Sequence, residues 1–265
     1  MPTINVDNLE IYYEIHGEGP PLLLVAGLAS DSQSWLSILE KLAASFKVIV
    51  FDNRGVGRTT PQGAATSIAQ MADDCVGLAR QLGVEKFHLL GHSMGGFIAL
   101  ETAIRFPEHV DKLIVAAAAA TNSARNNLLF ADWAADQNSG MDPERWFRNF
   151  FYWIFTAGFF DDAKSVQAAL RFALDYPYPQ SPAAFDKQVR AMAEFDRREK
   201  LCSVSAKTLV LAGSDDLLFP PEVCRSLANA IPQVEFYQIE QAAHSIFIEK
   251  PKEFTTAVLG FLGKD

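Results

Sequence analysis

A serine hydroxyl is a weak nucleophile near neutral pH unless a base removes its proton and a third group orients that base. The chain carries a serine in a setting suited to such chemistry. Gly91-His92-Ser93-Met94-Gly95 follows an apolar run at residues 87–90 and precedes a helical pattern through Ala99, Leu100 and Ala103. A strand that turns sharply into a helix holds its central serine in strained backbone geometry, so the residues two before and two after must lack clashing side chains. Gly91 and Gly95 meet that demand. With 16 Gly among 265 residues, chance places Gly-x-Ser-x-Gly in such a chain only about 0.06 times.

Five histidines could supply the base. His16 ends a hairpin, His88 lies within a strand, His92 belongs to the serine turn, and His109 follows Pro107 in a turn; each reads as structural. His244 differs, because it falls in the loop Gln241-Ala242-Ala243-His244-Ser245 after the last strand, at the carboxyl edge where parallel sheets place their sites. The orienting carboxylate comes from the loop Gly213-Ser214-Asp215-Asp216-Leu217-Leu218-Phe219-Pro220, where residue chemistry alone leaves both Asp215 and Asp216 open. The alanine run 116–120 offers no carboxylate to the same edge and reads as the continuation of a strand. An oxyanion formed by attack of Ser93 needs preorganised donors, each worth roughly 3 to 4 kcal/mol. Backbone N–H groups of Met94, at the helix start, and Leu28, in the loop Ala26-Gly27-Leu28-Ala29, are the expected pair.

The elements that must position these residues follow from periodicity. Short alternating strands at 3–6 and 9–15, joined at Asp7-Asn8, form an antiparallel hairpin. The apolar runs 22–25, 48–51, 87–90, 113–115, 208–211 and 234–239 are mostly unbroken, as expected of strands buried on both faces. Helical patterns at 35–44, 68–82, 94–106, 222–230 and 252–262 alternate with them. The result is an α/β fold with a mostly parallel eight-stranded sheet and helices on both faces. Residues 122–200 break the alternation and read as a helical insertion punctuated by Pro143, Pro177, Pro179 and Pro182. Eleven aromatic residues fall between Phe130 and Phe160. Some pack the insertion; Trp133, Trp153, Phe155 and Phe159, with Leu218, are the candidates for lining an apolar pocket over the sheet.

Composition narrows the function. A net charge of −9 without a Lys/Arg run supplies no footprint for a phosphate backbone or an anionic membrane, so no nucleic-acid partner is expected. The apolar run 113–120 is far shorter than the roughly 20 residues that span a bilayer. The first seven residues show no secretory pattern, which makes the cytoplasm the expected compartment. Cys75, Cys202 and Cys224 match neither a disulfide framework nor a zinc site and read as small core residues. At this length the chain is one sizeable domain, or a domain with an insertion.

These motifs together resemble the α/β-hydrolase superfamily over nearly the whole chain. Besides the serine turn, Phe51-Asp52-Asn53-Arg54-Gly55-Val56-Gly57-Arg58-Thr59 looks like the family's D-x-R-G-x-G-x-[ST] loop. Gly213 to Pro220 resembles G-x-x-D-x-x-x-P, an alignment that selects Asp216 as the triad acid. His244 with Glu249, Pro251 and Phe254 is similar to the family's H-x(4)-E-x-P-x(2)-F ending. The resemblance implies a helical cap at 122–200 inserted into a core made of 1–121 and 201–265. Where many members carry His-Gly in the loop after the first parallel strand, this chain has Ala26-Gly27, and the usual support for that loop is missing. A similar absence occurs in the branch of 3-oxoadipate enol-lactonases and aminoacrylate (carbamate) hydrolases, the latter also similar at Ser67 to Ala72 and Ser214 to Pro220. Serine at position 93 argues against dehalogenases and epoxide hydrolases, which use aspartate there. The expected function is a carboxylesterase-type serine hydrolase, with Ser93, Asp216 and His244 as triad and no metal or organic cofactor. Its expected partner is a small-molecule ester or lactone; lactone, enol-lactone or carbamate hydrolysis is the alternative. Carbon-carbon bond hydrolysis, perhydrolysis and non-catalytic ligand binding on the same fold rank behind these. Oligomeric state is not encoded in any of these features.

Overall fold

A computed structural model describes residues 2–264. Its eight strands form one sheet in the order β1-β2-β4-β3-β5-β6-β7-β8. β1 (Thr3–Val6) and β2 (Leu9–His16) are the antiparallel hairpin, turned at Asp7 with φ 50°. β2 continues antiparallel against β4 (Lys47–Phe51). β3 (Pro21–Val25), β4, β5 (Phe87–His92), β6 (Val110–Ala116), β7 (Lys207–Gly213) and β8 (Val234–Ile239) run parallel. The chain steps from β3 outward to β4 and then crosses to β5 on the other side of β3. The order therefore reverses at β3/β5, the position where open α/β sheets form a crevice.

Both faces of the central strands are covered, which explains their unbroken apolar sequence. α1 (Leu36–Ala43), the one-turn α10 (Ile246–Glu249) and α11 (Pro251–Leu262) pack on the face of Leu22, Leu24, Val48 and Val50. α2 (Ile68–Gln81), α3 (Met94–Arg105) and α9 (Pro221–Asn229) pack on the face of Leu23, Val25, Ile49 and Phe51. The helical pattern expected from Trp35 begins earlier, as a 3-10 turn over Ser32–Trp35 whose cap Asp31 accepts from Gln33 N–H. The alanine run does not continue its strand: β6 ends at Ala116, and Ala117 turns away with φ 49°. Cys75 and Cys224 are core residues as expected, whereas Cys202 is exposed on a 3-10 turn (Arg198–Ser203).

Between β6 and β7 lie α4 (Ala124–Asn138), α5 (Pro143–Ile154), α6 (Ala157–Asp161), α7 (Ala163–Leu174) and α8 (Pro182–Ala193). Local signals set their starts: Ser123, Asp142 and Ser181 each accept a hydrogen bond from a first-turn N–H, and Pro143 and Pro182 open their helices. The two ends of this segment meet. Thr121 pairs with Asp196 in an antiparallel bridge, Arg197 N–H donates to Ala120 O at 2.8 Å, and the Arg197 guanidinium forks onto Glu101 of α3.

Candidate active site

Ser93 stands between β5 and α3 with φ 56° and ψ −120°, a left-handed conformation that costs of order 1–3 kcal/mol outside glycine. Packing enforces the turn. A Cβ on Gly95 would sit 2.0 Å from Val25 O, and one on Gly91 2.0 Å from Gly95 O, so the helix can approach the strands this closely only with glycine at both places. Val25 is the register partner of Gly91, which sets the loop after β3 directly beside the serine. At Gly27 a Cβ would lie 3.1 Å from the Ser93 Cβ.

The loop after β3 is held by the loop after β4. Asn53 Nδ2 donates to Ala26 O at 2.9 Å, and the Asp52 carboxylate accepts from Ser32 N–H and Oγ–H as well as from Arg58. These bonds supply the support that Ala26-Gly27 had lacked in sequence. The backbone N–H groups of Leu28 and Met94 find no acceptor among the described residues, although both residues are buried. Buried unpaired donors are rare in folded proteins, and this pair flanks Ser93.

His244 and Asp216 meet below the same edge. His244 Nδ1 lies 2.9 Å from Asp216 Oδ2, while Asp216 Oδ1 accepts the Leu218 and Phe219 N–H groups at 2.8 and 2.9 Å. Both oxygens of that carboxylate are thus committed, Oδ1 to holding it in place and Oδ2 to the imidazole. Asp215 is exposed and bonds Ser214 Oγ. The other ring nitrogen of His244 is left for the cavity it shares with Ser93. No hydrogen bond joins that ring to Ser93 Oγ in this arrangement; such bonds are often long in unliganded sites and tighten with substrate.

The cavity measures about 80 Å³, and in the same measure one water occupies about 10–15 Å³, so it admits about five to eight water-sized atoms. Its walls are apolar, with Phe130, Trp133, Phe150, Ile154, Leu218 and Phe247 facing the two histidines and a few serine hydroxyls. Among the described residues, no Lys, Arg, Asp or Glu lines it. Larger, shallower depressions lie by Arg58 and Arg171 (410 Å³) and by Lys86 and Lys112 (640 Å³); neither contains Ser93.

Of the five residues expected to line a pocket, Trp133 and Leu218 reach this cavity. Trp153, Phe155 and Phe159 do not. Trp153 lies under the Arg125 guanidinium, and Phe155 stacks on Phe159 with ring centres 4.1 Å apart. Phe130, Phe150 and Ile154 stand in their place. Phe130 and Trp133 are three apart on α4, and Phe150 and Ile154 are four apart on α5, so each pair shares a helix face. Trp153, three on from Phe150 and seven on from Trp146, shares that face by spacing as well, so spacing alone does not separate it from the lining.

Among the described residues, no group of three or more His, Cys, Asp or Glu side chains could hold a metal ion, and no helix is long and apolar enough to cross a membrane.

The chain belongs to the family whose model is described as the alpha/beta hydrolase fold, which matches residues 20–251. Within it, the chain is 29% identical over its full length to the protein of Azorhizobium caulinodans named "Putative carbamate hydrolase RutD", covering 99% of that protein. The protein of the same name from Agrobacterium fabrum is 30% identical over 95% of this chain and 98% of its own. Among solved structures, a thermophilic esterase from Thermogutta terrifontis superposes with a TM-score of 0.88 at 28% identity, covering 98% of this chain and 97% of that one. The enol-lactonase from Burkholderia xenovorans LB400 shares the fold with a TM-score of 0.91 at 24% identity, over 99% of this chain and all of the other.

Proposed function

We propose that this protein is a serine hydrolase that cleaves short, uncharged carboxylic esters through an acyl-enzyme on Ser93. In this reading Ser93 Oγ attacks the ester carbonyl carbon, and His244 takes the serine proton. The carbonyl oxygen becomes an oxyanion that accepts from the Leu28 and Met94 N–H groups. As the C–O bond to the alcohol breaks, His244 returns the proton to the leaving oxygen; water then repeats the sequence against the acyl-enzyme. Asp216 holds the imidazole in the tautomer whose free nitrogen faces the serine.

The observation that carries the ester reading is the cavity lining. With no charged side chain to pair with it, an anionic acyl group entering this space would be desolvated without compensation, at a cost of several kcal/mol. The small volume favours acetyl to butyryl groups. Similarity to carbamate hydrolases favours a second reading, hydrolysis of an uncharged carbamate or lactone by the same residues. The test is turnover of p-nitrophenyl esters from acetate to dodecanoate beside a methyl carbamate and a simple lactone, with Ser93→Ala run in parallel. Ester turnover that depends on Ser93 and is highest at two to four carbons supports the first reading. Turnover restricted to the carbamate or lactone transfers the assignment to the second.

A further inference from the structure

His92 has no part in the chemistry proposed above, yet it contacts the loop of the base and packs beside the loop after β3. Its Nε2 lies 2.8 Å from His244 O; a carbonyl only accepts, so Nε2 carries the proton and Nδ1 is the unprotonated nitrogen. The ring packs 4.7 Å from the His244 ring, 4.9 Å from Phe247 and 6.5 Å from Trp35. Its Nδ1 lies 3.4 Å from where a Gly27 Cβ would be. The charged or titratable groups acting on it are His244 and Asp216.

The loop of the base is held at three consecutive residues by three different parts of the fold. Ala243 N–H donates to Glu249 Oε2 at 2.8 Å, Ser245 N–H donates to Ile154 O at 2.9 Å, and His244 O accepts from His92. Of these anchors, His92 alone is peptide-bonded to Ser93.

We propose that His92 is a positioning residue that sets the separation of nucleophile and base, by bonding the His244 backbone while covalently joined to Ser93. The inference rests on the acyl-transfer reading of Ser93, His244 and Asp216. Misplacing reacting groups by about 1 Å can cost on the order of 10²-fold in rate, and this one hydrogen bond ties the residue next to Ser93 to the backbone of His244 itself.

The test is the rate of Ser93 modification by a small alkyl fluorophosphonate, in which Ser93 Oγ displaces fluoride from phosphorus while His244 accepts the serine proton. It is read by intact mass and needs no knowledge of the substrate. His92→Leu keeps the bulk and removes the donor; His92→Gln offers an amide N–H at a similar reach. The expected result is a kinact at least about 10-fold lower in His92→Leu with KI within about 2-fold, and recovery to at least about a third of the wild-type kinact in His92→Gln. A His92→Leu rate within 2-fold of wild type, a His92→Gln rate as slow as that of His92→Leu, or a loss carried by KI overturns the proposal. Should His92→Leu fail to fold, His92→Gln against His92→Asn, whose shorter amide falls short of the carbonyl, gives the same comparison. A wild-type protein that is not labelled at Ser93 overturns the acyl-transfer reading itself.

Discussion

Asp215 and Asp216 are neighbours in the chain with opposite environments, and replacing each by Asn separates them. Asp216→Asn removes the acceptor that fixes the His244 tautomer and is expected to lower kcat by about 10³- to 10⁴-fold, as in other triads. Asp215→Asn alters an exposed side chain that bonds Ser214 Oγ and should leave kcat within about 3-fold; equal losses at the two positions would exclude Asp216 as the orienting acid. His92 makes a second prediction. Burial, reinforced by the adjacent His244 imidazole, pushes its pKa down to about 3 from the ordinary value near 6.5. Between those values the unfolded chain binds the proton that the folded chain refuses. Stability is therefore complete above about pH 6.5 and falls as pH drops toward 3, with a slope approaching about 1.4 kcal/mol per pH unit. His88, also lowered by burial, adds to the same trend, so the readout is the difference between proteins: His92→Gln should lose less stability from pH 7 to pH 5 in denaturant titrations. Ser93, His244 and the acid loop were legible in sequence because local glycine spacing and loop positions encode them. The bond from His92 to His244 spans 152 residues, and no local pattern announces it.

At the scale of elements, two helix glycines predict opposite outcomes. Gly95→Ala drives a methyl into Val25 O at 2.0 Å and should cost at least about 3 kcal/mol, lowering the melting temperature by about 6–12 °C. Gly260 in α11 has nothing within 4 Å of its missing Cβ and no positive φ, so Gly260→Ala should stabilise by about 0.5–1 kcal/mol. Thermal melts distinguish the two directly. The faces of α4 and α5 carry a further expectation: Trp133→Ala or Phe150→Ala should move the ester optimum toward longer acyl chains, while Trp153→Ala should leave it in place. A shift with Trp153→Ala and none with the other two would put the acyl group elsewhere. The strands and the five helices at 35–44, 68–82, 94–106, 222–230 and 252–262 could be read from apolar runs and periodicity, whereas the individual helices of 122–200 could not. The cavity lining could not be read from aromatic density, because packing of one helix on another decides which rings of a crowded segment turn inward.

Across the whole molecule, the site is assembled at the reversal of strand order, with four loops from β3, β5, β7 and β8 arriving at one edge of the sheet. That topology followed from the alternation of strands and helices, whereas the bracing between loops had to be seen in three dimensions: Asn53 on Ala26, and Glu249 on both Ala243 and Thr156. The closure of the α4 to α8 segment at its base carries a consequence of its own. Because Thr121 and Asp196 are bridge partners, and such partners sit about 5 Å apart, the seventy-odd residues between them leave and re-enter the sheet through a single narrow doorway. A foreign helical segment whose ends meet at that spacing matches the doorway, but it must also bring a carbonyl in place of Ile154 O for Ser245 N–H and a partner for Glu249 in place of Thr156, so new selectivity is inherited together with an anchor of the base loop.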